Sequence, residues 1–305
     1  MSKLRKAQYI HAMTVFTSPQ TRLIPQPTGV PAHPPLQVRK LLVDLSGGFA
    51  RHWHGGNSFR TQYFNALSMS FPVGEQFFID SVREAAKRLG DSPEHQVLRA
   101  TIADFCAQEA THRHVHSQYN QQLELQGLVN HWQHWAARRI EKSRGFNPMH
   151  NLAATVAFEH ITGVFADLTL RHADLLAGAD APMQTLWRWH AAEETEHKSV
   201  AFDLYQALGG NHAWRVRWYL YVLLTFLVDT AAQTTRNLWR DGQLFKPKTW
   251  WDGLTFTLGR RGLVWRLIRP MAAYFKRDFH PTHEGNPALA SHWLEANAAS
   301  FKVIR

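Results

Sequence analysis

Apolar residues recur every three to four positions through most of this chain, which is the period of an α-helix with one buried face. After Glu75, for example, Phe78, Ile79, Val82 and Ala86 fall on the side of the helix that carries the glutamate. The periodicity predicts helices at about 73–89, 93–126, 128–143, 147–170, 181–201, 213–240, 249–275 and 286–302. No run of residues is typical of a strand. The pattern therefore predicts an all-α fold.

Proline, glycine and capping residues set the predicted ends of these helices. Pro72 and Gly74 are expected to break a first helical segment, so that the first long helix begins near residue 73. Ser92 followed by Pro93 has the form of an N-cap and a first helical turn, and an Asn-Pro pair opens the helix at 147 in the same way.

The chain divides into three predicted parts. Residues 1–40 contain six prolines and no sustained apolar period, which predicts an extended arm. Residues 41–285 are expected to form one helical domain, a four-helix bundle covered by additional C-terminal helices. Residues 286–305 form a C-terminal helix or tail.

Two Glu-x-x-His pairs lie about 85 positions apart, and each stands within a predicted helix. The i, i+3 spacing places both side chains of a pair on one helix face, one turn apart. Two further glutamates precede the pairs on their own helices, within apolar stripes. This is the ligand order of a carboxylate-bridged two-metal site in a four-helix bundle. With one more histidine, the candidate metal ligands are Glu75, Glu109, His112, Glu159, His190, Glu194 and His197.

Some choices within this set depend on helical angles. Of the glutamates in HAAEETEH, Glu194 lies nearest the midpoint of His190 and His197, whereas Glu196 points away. His116 lies one turn beyond the first pair and is a further candidate, either as a ligand or as a hydrogen-bond partner of one. The alternative for His116 is a hydrogen-bonded core histidine.

Other polar residues near the candidate ligands receive different interpretations. His160 faces away from its neighbour in the sequence and is expected at the surface or in packing. Asp104, Asp167 and Asp203 are candidate carboxylates for orienting the ligands, and the sequence does not choose among them. Cys106, the only cysteine, is expected to be a small buried packing residue.

The ligand types bear on the metal. Carboxylates can bridge two cations, and imidazoles favour iron, manganese or zinc over magnesium. A single Glu-x-x-His is common in helices and by itself predicts no metal. Two such pairs among apolar neighbours would leave unpaired charges in a low-dielectric interior, which is costly without cations.

These segments resemble a ferritin-like family labelled predicted metal-dependent hydrolases. The resemblance rests on NALSMSFPVGEQFF, QEATHRHVH, AFEH and WRWHAAEETEHKSVAFD, and it extends from about residue 40 to 285. It implies a ferritin-like helical bundle and a metal site. The family label is inferred from the ligands, so the resemblance supports the fold and the metal site better than the reaction.

A more remote resemblance concerns the chemistry. Four glutamates and three histidines, with His190, Glu194 and His197 spaced at 0, 4 and 7, are similar to the ligands of di-iron arylamine N-oxygenases. This likeness implies a di-iron oxygenase that uses two iron ions and dioxygen to oxidise a small hydrophobic or aromatic substrate. The alternative is a binuclear hydrolase, with manganese or zinc as alternative metals, and a metal-storage protein is less favoured.

The formal net charge of +10 and the pI of about 9.9 predict an anionic partner. No nucleic-acid-binding motif accompanies the charge, so nucleic acid is not expected as a partner. From Trp214 to Phe279, basic and aromatic residues interleave, which suits peripheral contact with an anionic membrane. The alternative is an ordinary helix layer over the bundle with a solvated cationic face. In either case this segment is expected to supply an apolar access route.

The apolar run WYLYVLLTFLV is too short to span a bilayer. The single cysteine and the absence of an apolar run of secretory length near the N-terminus predict a cytoplasmic protein, at most peripheral at the inner face of the membrane. A homodimer is a further expectation.

Overall fold

The computed structural model describes residues 35–305, so all but the end of the predicted arm at 1–40 lies outside the described residues. The described chain is a bundle of α-helices with one two-stranded sheet, which confirms the all-α prediction. In chain order the elements are β1 Arg39–Leu41, α1 Ser58–Ala86, α2 Pro93–Leu125, α3 His131–Ser143, α4 Pro148–Arg171, α5 Ala181–His197, α6 Val200–Ala207, α7 His212–Arg240, α8 Pro247–Leu258, α9 Leu263–Ala273, α10 Pro287–Ala296 and β2 Phe301–Val303.

Helix α1 runs without interruption through Pro72, so the predicted break before Glu75 is wrong. Proline has no backbone N–H and therefore leaves the carbonyl four residues earlier, that of Ser68, without its helical donor. Asn120 of α2 supplies the missing donor, because its Nδ2 lies 3.0 Å from the Ser68 carbonyl oxygen. A partner from a distant segment thus allows the helix to continue.

Two helix starts agree with the sequence pattern, and two predicted helices are divided. Ser92 caps α2 and Asn147 caps α4, each followed by proline in the first turn. The helix predicted at 249–275 ends at Leu258, because the chain turns between Gly259 and Gly262 before α9. The helix predicted from 181 through 201 is divided after His197 by a two-residue turn into α5 and α6.

The sheet was not expected from the sequence. β1 pairs antiparallel with β2, with Arg39 opposite Val303 and Leu41 opposite Phe301. The predicted helix at 286–302 therefore ends early, at Ala296. Strands of three residues carry too little local periodicity to be recognised, and this pairing joins opposite ends of the described chain.

The hydrophobic core consists of two large clusters separated by a polar layer. α1 supplies Phe64 and Leu67 to one cluster and Phe78 and Val82 to the other. The buried Glu75 lies between these two sets on the same helix. α2, α4 and the α5–α6 segment likewise supply residues to both clusters. The four segments thus carry their buried acidic and imidazole side chains at one level of the bundle.

Helices α7, α8 and α9 form an outer layer on α1 and α4. α8 approaches α1 closely, since a Cβ atom on Gly253 would lie 2.5 Å from the Phe59 ring. α9 lies against α7, where the Tyr219 hydroxyl donates to the Met271 carbonyl at 2.9 Å. Across residues 35–305, no helix is both long enough and apolar enough to cross a bilayer.

Candidate metal centre

The structure brings the seven predicted ligands together at the polar layer of the bundle. They form two groups whose candidate ligand atoms lie within 4.8 Å of one another, and each group could hold a metal ion. The first group is Glu75, His112 and His190, and the second is Glu109, Glu159, Glu194 and His197. Four helices contribute, namely α1, α2, α4 and α5.

Glu194 lies between the two groups. Its Oε1 atom is 3.0 Å from His190 Nε2 and 3.3 Å from His112 Nδ1, both in the first group. Its Oε2 atom is 3.5 Å from His197 Nε2 in the second group. One carboxylate thus presents an oxygen to each group, which is the arrangement needed to bridge two cations.

The polar atoms of this cluster are buried without adequate partners. Nine side-chain nitrogen and oxygen atoms of the seven residues make no hydrogen bond of acceptable geometry, including both carboxylate oxygens of Glu75 and Glu159. Orphaned buried carboxylates are costly, and metal coordination is one of the few ways to compensate them. The donor set therefore fits two cations with carboxylate and imidazole ligands.

Burial and the neighbouring charges shift the pKa values of the glutamates in this cluster. Burial raises the pKa of Glu75 and of Glu159 well above that of an ordinary glutamate, and the nearby Glu109 carboxylate raises both further. Burial also acts to raise the pKa of Glu194, but the surrounding imidazoles, His197 foremost, hold it well below its usual value. Bound cations would relieve the repulsion among these carboxylates.

Glu193, which the sequence argument passed over, contacts a predicted ligand. Its Oε2 atom lies 2.9 Å from His112 Nε2, so His112 turns its Nδ1 atom towards the cluster. Arg39 of β1 donates to Glu193 Oε1 at 3.2 Å and thereby offsets the charge of this fully buried carboxylate. Glu193 is adjacent to Glu194 in the sequence, but no local pattern connects it with Arg39.

Gln108 orients a second predicted ligand histidine, His197, by a hydrogen bond. Its Oε1 atom lies 3.0 Å from His197 Nδ1, so His197 directs Nε2 towards the cluster. The Gln108 amide nitrogen donates at 3.0 Å to Glu196, which also accepts from Arg39 at 2.7 Å. Glu196 belongs to neither group, in agreement with its predicted direction.

His116 is buried beside the cluster and belongs to neither group. Its Nε2 atom is 2.7 Å from His190 Nδ1, and its Nδ1 atom is 2.9 Å from the Ser68 hydroxyl. Ser68 in turn donates to Asn120 Oδ1 at 2.9 Å. We call this connected set, His190, His116, Ser68 and Asn120, the histidine relay. Its geometry favours His116 as a hydrogen-bond partner of a ligand.

The hydrogen bonds of the histidine relay allow an arrangement of protons in which His190 could bind a cation through Nε2. Asn120 Nδ2 must face the Ser68 carbonyl, so Oδ1 faces the Ser68 hydroxyl. When this hydroxyl donates to Asn120, it accepts from the Nδ1–H of His116. His116 Nε2 then accepts the Nδ1–H of His190, which leaves His190 Nε2 unprotonated towards the cluster. Burial lowers the pKa of His190 to about 4 and that of His116 well below its usual value, so both imidazoles are neutral near pH 7.

The candidate orienting aspartates bind elsewhere in the structure. Asp104 lies 3.1 Å from Arg305, Asp167 accepts from Arg171, and Asp203 lies 2.8 Å from His280. The carboxylate that contacts a predicted ligand histidine from outside the set is Glu193. His160 is buried among the rings of Tyr219, Tyr274 and Phe279, which confirms its packing role. Cys106 is buried, as predicted.

An apolar cavity reaches the cluster from the side of the outer helices. It is narrow, with a volume of about 60 Å³. His190 and Glu194 lie in its wall, and most of the remaining wall is apolar. Phe71, Phe165, Trp187, Phe226 and Leu263 are among its lining residues. A substrate in this cavity would meet the edge of the cluster where the two groups adjoin.

This architecture and donor set agree with the comparison to known families. Residues 37–285 match the sequence profile of a family described as predicted metal-dependent hydrolases. The match covers most of the chain, and the protein belongs to this family. No curated protein and no solved structure matches the chain. The family description fits the hydrolase alternative better than the oxygenase interpretation.

Proposed function

We propose that this protein is a binuclear metal-dependent hydrolase that acts on an ester or amide with an apolar acyl group. The proposal is carried by the nine orphaned polar atoms of the buried cluster, which require cations, together with the apolar cavity that ends at it. The family description supports hydrolysis as the reaction class.

Each group of the cluster would hold one metal ion. Glu75, His112 and His190 would bind the first, Glu109, Glu159 and His197 would bind the second, and Glu194 would bridge them. Bound metal ions would lower the pKa of a coordinated water and polarise the scissile carbonyl group. Manganese, zinc and iron all suit carboxylate and imidazole donors.

The protein's own residues contribute substrate binding and the orientation of the ligand side chains. The apolar wall holds the acyl chain and excludes bulk water, which strengthens the electrostatic interactions at the cluster. His190 and Glu194 lie where the cavity meets the cluster, so a substrate held by the apolar wall would be positioned beside the residues that would hold the metal ions. Glu193 and Gln108 keep His112 and His197 in the required orientation.

The test combines metal analysis with a substrate series. The purified protein is analysed for bound metals, stripped with a chelator and reloaded separately with manganese, zinc or ferrous iron. Each form is assayed with p-nitrophenyl esters and p-nitroanilides whose acyl groups run from acetyl to decanoyl. Hydrolysis should require metal and should increase with acyl length until the cavity is filled. A metal-loaded protein that hydrolyses no ester or anilide of the series would contradict the proposal.

A matched pair of variants on α1 controls for the fold. Glu75→Gln removes a buried carboxylate of the first group, whereas Glu84→Gln changes an exposed glutamate on the same helix. Glu75→Gln should lose one metal per chain and most of the activity, and Glu84→Gln should match the native protein. Equal metal content in the two variants would remove Glu75 from the proposed site.

A di-iron oxygenase remains the second candidate because of one observation. The donor set of four glutamates and three histidines includes His190, whose Nε2 atom faces the cluster from the apolar cavity wall. The iron-loaded protein should then consume dioxygen in the presence of a reductant and a small aromatic amine. Dioxygen consumption coupled to product formation, without metal-dependent ester hydrolysis, would favour this candidate.

A further inference from the structure

Exposed apolar side chains are concentrated on the outer helix layer. Of the twenty large hydrophobic residues that are exposed among residues 35–305, fourteen lie between residues 220 and 275. On α7, Leu220, Leu224 and Leu227 form a stripe on the side opposite the buried Tyr219 and Val222. Exposed apolar surface of this extent marks an interaction site rather than ordinary protein surface.

The two helices that follow α7 also expose large apolar side chains. Trp251 and Leu254 are exposed on α8, and Trp265 and Ile268 are exposed on α9. α9 packs against α8, and it also packs against α7. We call the exposed side of residues 212–278 the α7–α9 face.

The charge of the α7–α9 face is strongly positive. Residues 212–278 include twelve Lys and Arg but four Asp and Glu, a net charge of +8 out of +10 for the whole chain. Ten of these basic side chains are exposed, and the single exposed acidic one is Asp278. Trp, Leu and Ile side chains beside Lys and Arg are typical of proteins that lie at the surface of a bilayer.

We infer that the α7–α9 face docks on the surface of an anionic lipid bilayer. The basic side chains contact the headgroups, while Trp251, Leu224 and their neighbours enter the boundary between headgroups and acyl chains. A bilayer is the partner that matches both the positive charge and the exposed aliphatic side chains of the α7–α9 face. A second copy of the chain would bring together two segments that each carry a net charge of +8. Nucleic acid would leave the exposed leucines without an apolar partner.

Docking in this way would connect the bilayer with the cavity. Phe226 of α7 and Leu263 of α9 line the cavity, and the outer sides of the same two helices belong to the α7–α9 face. An apolar substrate could therefore pass from the bilayer into the cavity without crossing water. This supply of substrate rests on the proposed function, whereas binding to the bilayer does not.

The test is sedimentation of the whole protein with vesicles. Vesicles of phosphatidylcholine alone are compared with equimolar phosphatidylcholine and phosphatidylglycerol, at low salt and at about 1 M salt, where the Debye length falls to about 3 Å. Binding should require the anionic lipid and should weaken at high salt. Arg260→Glu with Arg261→Glu should weaken it by at least about fivefold for each charge removed.

The double variant Leu224→Ser, Trp251→Ser tests the contact of apolar side chains with the bilayer and should bind vesicles more weakly. Both residues are more than 60% exposed, so the fold should be preserved. Matched controls are Leu125→Ser and Lys142→Glu, which change an exposed leucine and an exposed lysine outside the face. The control variants should bind as the native protein does. Absence of vesicle binding at low salt would overturn the inference. So would equal losses in test and control variants, or a native dimer that buries this face and binds no vesicles.

One further comparison separates the inference from the proposed function. A long-chain ester presented in anionic vesicles should be hydrolysed poorly by the Leu224→Ser, Trp251→Ser variant, while a soluble short ester should be hydrolysed normally. Vesicle binding by a protein that hydrolyses neither ester would leave docking intact and contradict only the hydrolase.

Discussion

The histidine relay predicts that a hydroxyl with no role as a ligand controls metal affinity. For His190 Nε2 to bind a cation, His116 must carry its proton on Nδ1 and donate it to the Ser68 hydroxyl. Ser68→Ala removes that acceptor. Ser68 and His116 are fully buried, so water does not replace the lost partner. A buried donor left unsatisfied costs about 1–3 kcal/mol, which corresponds to metal binding that is about 5- to 150-fold weaker.

The cost falls mainly on the metal-bound protein. Without metal, the relay can shift its protons, so that Ser68 donates to His116 and His190 donates to Glu194. In that arrangement Ser68→Ala removes one hydrogen bond, whereas in the metal-bound arrangement it removes two, those to His116 and Asn120. The difference between the two states is what the binding constant measures.

The assay is competition for manganese and zinc between the metal-free protein and a chromophoric chelator. Ser117→Ala is the matched control, because it removes a serine hydroxyl on α2 that bonds only to the Arg113 carbonyl in its own helix. A double-mutant cycle adds His116→Leu, after which Ser68→Ala should have no further effect. Native metal affinity in Ser68→Ala, with the fold retained, would refute the tautomer argument.

Two further predictions concern stability. Arg39→Met removes the guanidinium that pairs with the fully buried Glu193 and with Glu196, and it should cost about 3–5 kcal/mol of unfolding free energy. Arg138→Met, at an exposed position, should be nearly neutral in denaturant titrations. Burial lowers the pKa of His54, so the folded protein holds this imidazole in its neutral form. Its contribution to the unfolding free energy is fully present above the unfolded pKa of about 6.5. As the pH falls below that value the contribution is lost, by up to about 1.4 kcal/mol per pH unit. His54→Gln should therefore make the unfolding free energy of the metal-free protein less dependent on pH below about 6.5. Replacement of the exposed His114 by Gln is the matched control. A native pH dependence in His54→Gln would contradict this assignment.

The sequence was most informative where one helix carries the whole signal. The Glu-x-x-His spacing and the apolar neighbours of Glu75 and Glu159 depend on local helical geometry, and these side chains converge as expected. Helix starts at Ser92 and Asn147 also depend on local capping chemistry. Local periodicity is therefore sufficient to predict the bundle and the arrangement of the candidate ligands.

The features that were missed depend on contacts between distant segments. Pro72 suggested a helix end because its partner, Asn120, is 48 positions away and provides no local signal. Glu193 was passed over because helical angles favoured Glu194, while its partner Arg39 lies in a strand that was itself not predicted. The hydrogen-bond partners of a predicted ligand histidine come from whichever segment packs beside it, and the periodicity of the sequence does not identify that segment.

The β1–β2 pairing has a consequence for the order in which the molecule folds. Residues 39 and 303 face each other in a sheet of only three residues per strand, and nearly all of the described chain lies between them. So few hydrogen bonds cannot offset the entropy of closing such a long loop until the helices have already brought the strands together. The sheet, and with it the position of Arg39 beside Glu193, should therefore be completed late in folding. Recovery of native metal affinity during refolding would then report on this last step rather than on formation of the helices.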